Sequence, residues 1–328
     1  MKNIQADIKS GNFKQVYLLY GEEAYLKQQY KQNLVKALNP DGDTMNFNHY
    51  EGKGIDVKQL IDLCETMPFF AERRVVLLED TGFFKNKCEE LADYMKELPD
   101  YLYLVFAETE VDKRNRMYKA VKACGSIAEF IRQDEKTLMR WAAGILGKAG
   151  KKITQRDMEL LLTKTGTDMG NLRMEMEKLI SYTEGRDVVT AEDIEEICTT
   201  QTTNRIFDMV RAVTEKNQKR ALELYYDLLT LKEPPMRILF LLAKQYRQLL
   251  LAKQFAAAGL AHTEIASKLG VPGFVVRNIT TCARAYTISE LEQAVKDFVD
   301  AEESVKTGRL EDKLSVELLI IKYSSKVK

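Results

Sequence analysis

The sequence predicts a parallel α/β module followed by helical modules. Continuous apolar runs, such as VYLLY at 16–20 and YLYLVFA at 101–107, alternate with helical patterns up to about Gln133. From about Glu135 onward, apolar residues recur at helical spacing alone. Apolar strands separated by helices indicate a parallel sheet covered on both faces. Punctuation agrees: with only 6 Pro and 17 Gly in 328 residues, most of the chain is free to be helical.

In order, Val16–Tyr20 reads as a buried strand ending at Gly21, and 23–37 as a helix. Asn46–Tyr50 is a weaker strand. Residues 57–67 form an amphipathic helix with Val57, Leu60, Ile61, Cys64 and Met67 on one face, stopped by Pro68. Arg74–Glu79 and Tyr101–Ala107 are the third and fourth strands. Asp112 is placed to cap a helix running to Lys122, and Ile127–Ile131 is a fifth strand. Four short helices follow at 136–148, 154–164, 169–182 and 191–199, with Thr190 and Asp193 in capping-box spacing. Longer helices then occupy 204–215, 218–231, 235–257, 262–269, 272–285, 289–306 and 310–325. Pro235 opens the third of these and Gly259 ends it. This order gives three expected domains: 1–134, 135–202 and 203–328.

Composition narrows the function classes. Lys+Arg and Asp+Glu are both 49, so a surface that is basic throughout is excluded while a local basic patch is allowed. Five scattered cysteines without a CxxC, and two histidines, offer neither a disulfide framework nor a zinc site. A reducing, cytoplasmic setting is expected. The polar first fifteen residues do not read as a signal peptide, and the longest apolar run, Ile238–Ala243, is too short to span a membrane. No catalytic set of Ser, His and Asp stands at informative spacing, so no catalytic, cofactor or metal residues are assigned.

Four stretches invite a functional reading. The turn after the first strand, GEEAYLK at 21–27, sits where a nucleotide-binding protein carries its phosphate loop. It lacks the second Gly and the Lys-Ser/Thr pair, and Glu22 and Glu23 would repel phosphate. A turn that only keeps the fold is the better reading. Glu79 and Asp80 after the third strand have the outline of a magnesium-binding acid pair, with the usual order reversed. Lys113, Arg114 and Arg116, with Lys119 and Lys122, form a basic segment that is a candidate DNA or partner contact. His262–Arg277 has the spacing of a helix-turn-helix, which supports an alternative function as a DNA-binding regulator using 262–285. Its second helix, however, begins Pro272-Gly273-Phe274-Val275-Val276, too apolar to read base edges.

The stretch LCETMPFFAERRVVLLED at 63–80 is different. It places Phe69 and Phe70 at a helix-to-strand corner, between Pro68 and the charges of Glu72, Arg73 and Arg74. Successive side chains rarely face the same way, so one ring is expected to anchor inward while the other protrudes. Such a corner suits a hydrophobic plug for another protein.

These segments together resemble a known family. VYLLYGEEAYL, LCETMPFFAERRVVLLED, YLYLVFAETEVDKRNRMYKAV, GNLRMEMEKL, IFDMVRAVTEKNQKRALELYYDLL and EDKLSVELLIIKY follow one another as in the delta subunit of the bacterial DNA polymerase III clamp loader. The resemblance covers essentially the whole chain. It implies an AAA+-like module with a degenerate nucleotide site, a small helical lid and a C-terminal helical collar through which loader subunits assemble. It implies no ATP hydrolysis by this chain and no cofactor. It also implies binding to the sliding clamp (beta), opening of its ring, and assembly with the ATPase subunits (gamma/tau), delta-prime and primer–template DNA in the cytoplasmic, nucleoid-associated replisome. The family's clamp-binding pair falls on Phe69 and Phe70, with Met67 and Pro68 alongside; relatives often carry Leu-Phe there, and Glu65 stands where Gln can occur. Arg173, in GNLR at 170–173, resembles a degenerate sensor-2 arginine.

Overall fold

The computed structural model describes residues 2–199 and 202–325. The chain divides into two compact units, Met1–Gln133 and Asp134–Lys328.

The first unit contains α1 (Lys2–Ser10), β1 (Val16–Tyr20), α2 (Ala24–Leu38), β2 (Phe47–Glu51), α3 (Val57–Glu65), β3 (Arg74–Glu79), α4 (Glu89–Tyr94), β4 (Leu102–Glu108), α5 (Arg116–Cys124) and β5 (Ser126–Glu129). The five strands form one sheet in the order β2-β3-β4-β1-β5, and every pairing is parallel. Strand alternation sends side chains to two cores. Val16, Leu18, Val76, Leu78, Leu104 and Phe106 pack with residues of α3, α4 and α5. Tyr17, Leu19, Val75, Leu77 and Val105 pack with residues of α1 and α2. This two-sided burial is why β1, β3 and β4 read as apolar runs.

The second unit begins with α6 (Glu135–Lys148), β6 (Lys152–Ile153), α7 (Gln155–Thr165), α8 (Met169–Tyr182), β7 (Val188–Val189) and α9 (Ala191–Ile197). The expectation of no strands here is corrected: β6 and β7 form a two-residue parallel pair, too short to leave a periodic pattern. Then come α10 (Thr202–Thr214), α11 (Gln218–Thr230), α12 (Pro235–Ala257), α13 (His262–Leu269), α14 (Gly273–Ala283), α15 (Ile288–Lys306) and α16 (Asp312–Ser324). One core gathers residues of α6–α9 and another those of α10–α16. The latter is built around the buried Tyr246, whose ring meets those of Tyr286, Phe298 and Tyr323. The Tyr246 hydroxyl finds the Tyr286 hydroxyl at 3.1 Å, a necessary partner for a polar group so deeply placed. Thr190 and Asp193 form the expected capping box. Among the described residues no helix is long and apolar enough to cross a membrane.

Candidate functional site

The corner between α3 and β3 is built from both sides. Asp56 caps α3 by accepting hydrogen bonds from the Lys58 and Gln59 amides at 2.9 and 3.2 Å. Leu60 and Cys64 are buried, while Val57 and Ile61 pack against the same core. The helix stops at Glu65, two residues earlier than its periodicity suggests. Thr66 is already extended (φ −74°, ψ 122°), and Met67 precedes a proline, which disfavours helical backbone. Met67 therefore does not belong to the buried helix face: it is 74% exposed.

Polar side chains, two of them buried, then fix the backbone of the corner. Arg74, at the first position of β3, is 5% exposed. Its Nε donates to the Thr66 carbonyl at 2.8 Å, and its guanidinium also reaches the Met67 carbonyl (3.3 Å) and Asn48 Oδ1 (3.1 Å). The Tyr101 hydroxyl donates to the Glu65 carbonyl at 2.8 Å. Asn46, 3% exposed, takes hold of Phe69 by both backbone groups. The Phe69 amide donates to Asn46 Oδ1 at 2.6 Å, and Asn46 Nδ2 donates to the Phe69 carbonyl at 2.8 Å.

The outcome is an apolar projection. Phe69 is 57% exposed and Phe70 95%, so the expectation that one ring turns inward is corrected: both face out. Their rings meet edge to face at a centroid distance of 4.5 Å. Phe70 has φ 51°, left-handed backbone that a bulky residue seldom adopts. Pro68 is half-buried at the base. Met45, next to Asn46, is also strongly exposed. Sequence reasoning missed Asn46, Arg74 and Tyr101. The available signal was a charged residue opening an otherwise apolar strand, since a buried arginine must find acceptors nearby.

At the degenerate phosphate loop, Gly21 has φ 123° and a Cβ there would stand 2.3 Å from the Phe130 carbonyl oxygen, so the glycine is structural. Two of the three lysines of α2, Lys27 and Lys31, are engaged by the protein itself. Lys27 Nζ donates to the Glu108 carbonyl at 2.9 Å, and burial lowers its pKa. Lys31 pairs with Glu79 at 2.5 Å, and His49 reaches the same carboxylate at 2.9 Å. Asp80 accepts from the Thr109 amide and hydroxyl at 2.9 and 2.8 Å. Both acids of the reversed pair are thus bonded within the fold. Among the described residues no group of three His, Cys, Asp or Glu is placed to hold a metal.

The basic segment differs from expectation. Asn115, not Asp112, caps α5 by accepting from the Met117 amide, so Lys113 and Arg114 precede the helix. Three of its five cations have a carboxylate: Lys113 with Glu129 (2.8 Å), Arg114 with Asp112 (3.1 Å), and Arg116 with Asp93 (2.7 Å). Arg173 lies on α8, which Asp168 caps by accepting from the Asn171 amide at 2.8 Å, and pairs with Glu177 at 2.7 Å. In the helix-turn-helix segment, Ile265, Val276 and Ile279 are buried and Arg277 reaches Glu159 at 3.6 Å. The Phe274 side chain lies outside the described residues. The second helix thus turns apolar residues into the protein's own core, which leaves it poorly suited to reading DNA bases.

The family "DNA polymerase III, delta subunit" matches residues 17–130, and "DNA polymerase III delta subunit, C-terminal domain" matches 203–323. The chain is 26% identical over 332 residues to a Bacillus subtilis protein named DNA polymerase III subunit delta, covering 97% of this chain and 95% of that one. It is 22% identical over 258 residues to a probable DNA polymerase III subunit delta of Aquifex aeolicus, covering 74% and 72%. The solved structure of the Bacillus subtilis DNA clamp loader delta protein superposes with a TM-score of 0.67 at 23% identity, over 99% of both chains, and so shares the fold.

Proposed function

The chain belongs to the delta-subunit family of bacterial DNA polymerase III, and from that premise we propose that it grips the sliding clamp through Phe69 and Phe70, flanked by Met67 and Pro68, and promotes opening of the ring for loading onto primed DNA. The observation that carries this reading is the pair of outward-facing rings on a corner held by buried polar groups. Exposed aromatic side chains at the tip of a fixed loop are suited to fill a pocket on a partner. Each ring can bury roughly 150–250 Å², and truncating such an anchor typically costs about 2–4 kcal/mol. To open the ring, the contact must favour the open clamp over the closed one.

In this reading the chain is a non-catalytic subunit. The turn at Gly21 keeps the fold, Arg173 has no nucleotide to sense, and ATP is handled by the gamma/tau subunits, which with delta-prime complete a cytoplasmic assembly. Residues 1–134 carry clamp binding, 135–202 form the lid and 203–328 the collar. Lys113, Arg114 and Arg116 meet primer–template DNA by exchanging their carboxylate partners for phosphates.

The test is a binding titration of the Phe69→Ala/Phe70→Ala double variant against the sliding clamp, with circular dichroism as the folding control. The expected result is a native spectrum with affinity lower by at least about 30-fold. A folded double variant with wild-type affinity would overturn the assignment.

A further inference from the structure

We infer that Asn46 is a positioning residue for the clamp contact: it holds the Phe69–Phe70 pair in its binding shape before any partner arrives. This rests on the clamp-binding reading above and adds a residue from a different segment of the chain. Asn46 stands just before β2, 23 residues from Phe69. Its side-chain amide pairs with both backbone groups of Phe69, as a neighbouring strand would. It is itself oriented, because Nδ2 also donates to Asp43 Oδ2 at 2.5 Å, and Asp43 is tied to Asn39 at the end of α2 through a 2.9 Å bond from its amide. On the other side of the amide pair lies Phe70, in left-handed backbone and 95% exposed. A bulky residue stays in that conformation only when its surroundings over-determine it. The Phe70 side chain contributes little to burial, so the constraint has to come through the backbone, and Asn46 fixes the residue immediately before it.

The functional consequence is preorganisation. A loop free to relax would have to order two aromatic side chains on binding, which weakens association. Asn46→Ala removes the amide and leaves the Phe69 N–H and C=O to water, which the half-exposed loop allows. Its expected effect is about a tenfold loss of clamp affinity, from ordering two rings on binding.

The experiment is a double-mutant cycle with the full chain: wild type, Asn46→Ala, Phe69→Ala/Phe70→Ala, and the triple variant. Each is titrated against the sliding clamp to concentrations where weak binding is still measurable. The inference requires the Asn46→Ala loss to vanish once both rings are gone, because a residue acting only through them has nothing left to position. An equal loss in both backgrounds, or wild-type affinity in Asn46→Ala while the ring-less variant is weak, overturns it and leaves the clamp-binding reading standing. Wild-type affinity in the ring-less variant instead overturns the clamp-binding reading itself. Hydrogen exchange of the wild-type Phe69 amide, without clamp, gives a check that no variant's folding can obscure. Exchange well below the intrinsic rate is expected, and exchange at the intrinsic rate contradicts a preformed corner.

Discussion

At the scale of single residues, Phe70 separates binding from folding most sharply. Left-handed backbone costs a non-glycine residue roughly 1–2 kcal/mol, and this ring is 95% exposed. Phe70→Gly relieves that strain, offset in part by glycine's greater freedom in the unfolded chain. We expect its Tm to equal or exceed that of the wild type while clamp affinity falls about 30-fold or more. A clear drop in Tm would mark Phe70 as a core residue. Gly21 is the opposite case: a Cβ would stand 2.3 Å from the backbone of Phe130. Gly21→Ala is expected to lower stability by about 2–3 kcal/mol, measured by denaturant unfolding. The sequence alone singled out Phe69 and Phe70, because adjacent rings between a proline and charges are unusual. It misplaced Met67, whose helical spacing continues past the point where Pro68 ends the helix. It could not reveal Asn46, whose role depends on a pairing with a segment 23 residues away, and Arg74 was passed over although a charge opening an apolar strand was there to read.

At the scale of elements, long apolar patterns were legible and short pieces were not. Strands β1, β3 and β4 and helix α12 were readable because burial on both sides, or Pro235 and Gly259 at the ends, leaves a strong pattern. The six-residue α4 and the two-residue β6 and β7 hold too few residues to show a period. The capping box of Thr190 and Asp193 was readable because its pattern is local; another, at the start of α15, went unread. Thr287 and Glu290 form a capping box at the start of α15. Hydrogen bonds from the Thr287 amide and hydroxyl hold the Glu290 carboxyl below its ordinary value of 4.5. A depressed carboxylate pKa stabilises the fold above the unfolded value, and that contribution is lost as pH falls through the folded value. Glu290→Ala is therefore expected to cost about 0.5–1 kcal/mol at neutral pH. In thermal melts, its difference from the wild type should narrow as pH drops below 4.5.

At the scale of the whole molecule, the proposed function divides between surfaces rather than concentrating in a catalytic centre. Equal numbers of acidic and basic residues, 49 each, suit a subunit that meets DNA inside an assembly better than one that grips it alone. The phosphate-loop turn and the acids opposite it are bonded within the fold. We accordingly expect equilibrium dialysis of the purified chain to give no micromolar affinity for ATP. The compactness of Met1–Gln133 leads to the further expectation that these residues expressed alone retain clamp binding, tested by titration of the fragment. The central claim is where the clamp is touched, and site-specific photocrosslinking from position 70 tests it most directly. With a photoreactive phenylalanine analogue in place of Phe70, the account predicts a covalent adduct with the sliding clamp, competed away by unlabelled wild-type chain. Clamp binding without that adduct, together with efficient crosslinking from another exposed position such as Phe240, would contradict it.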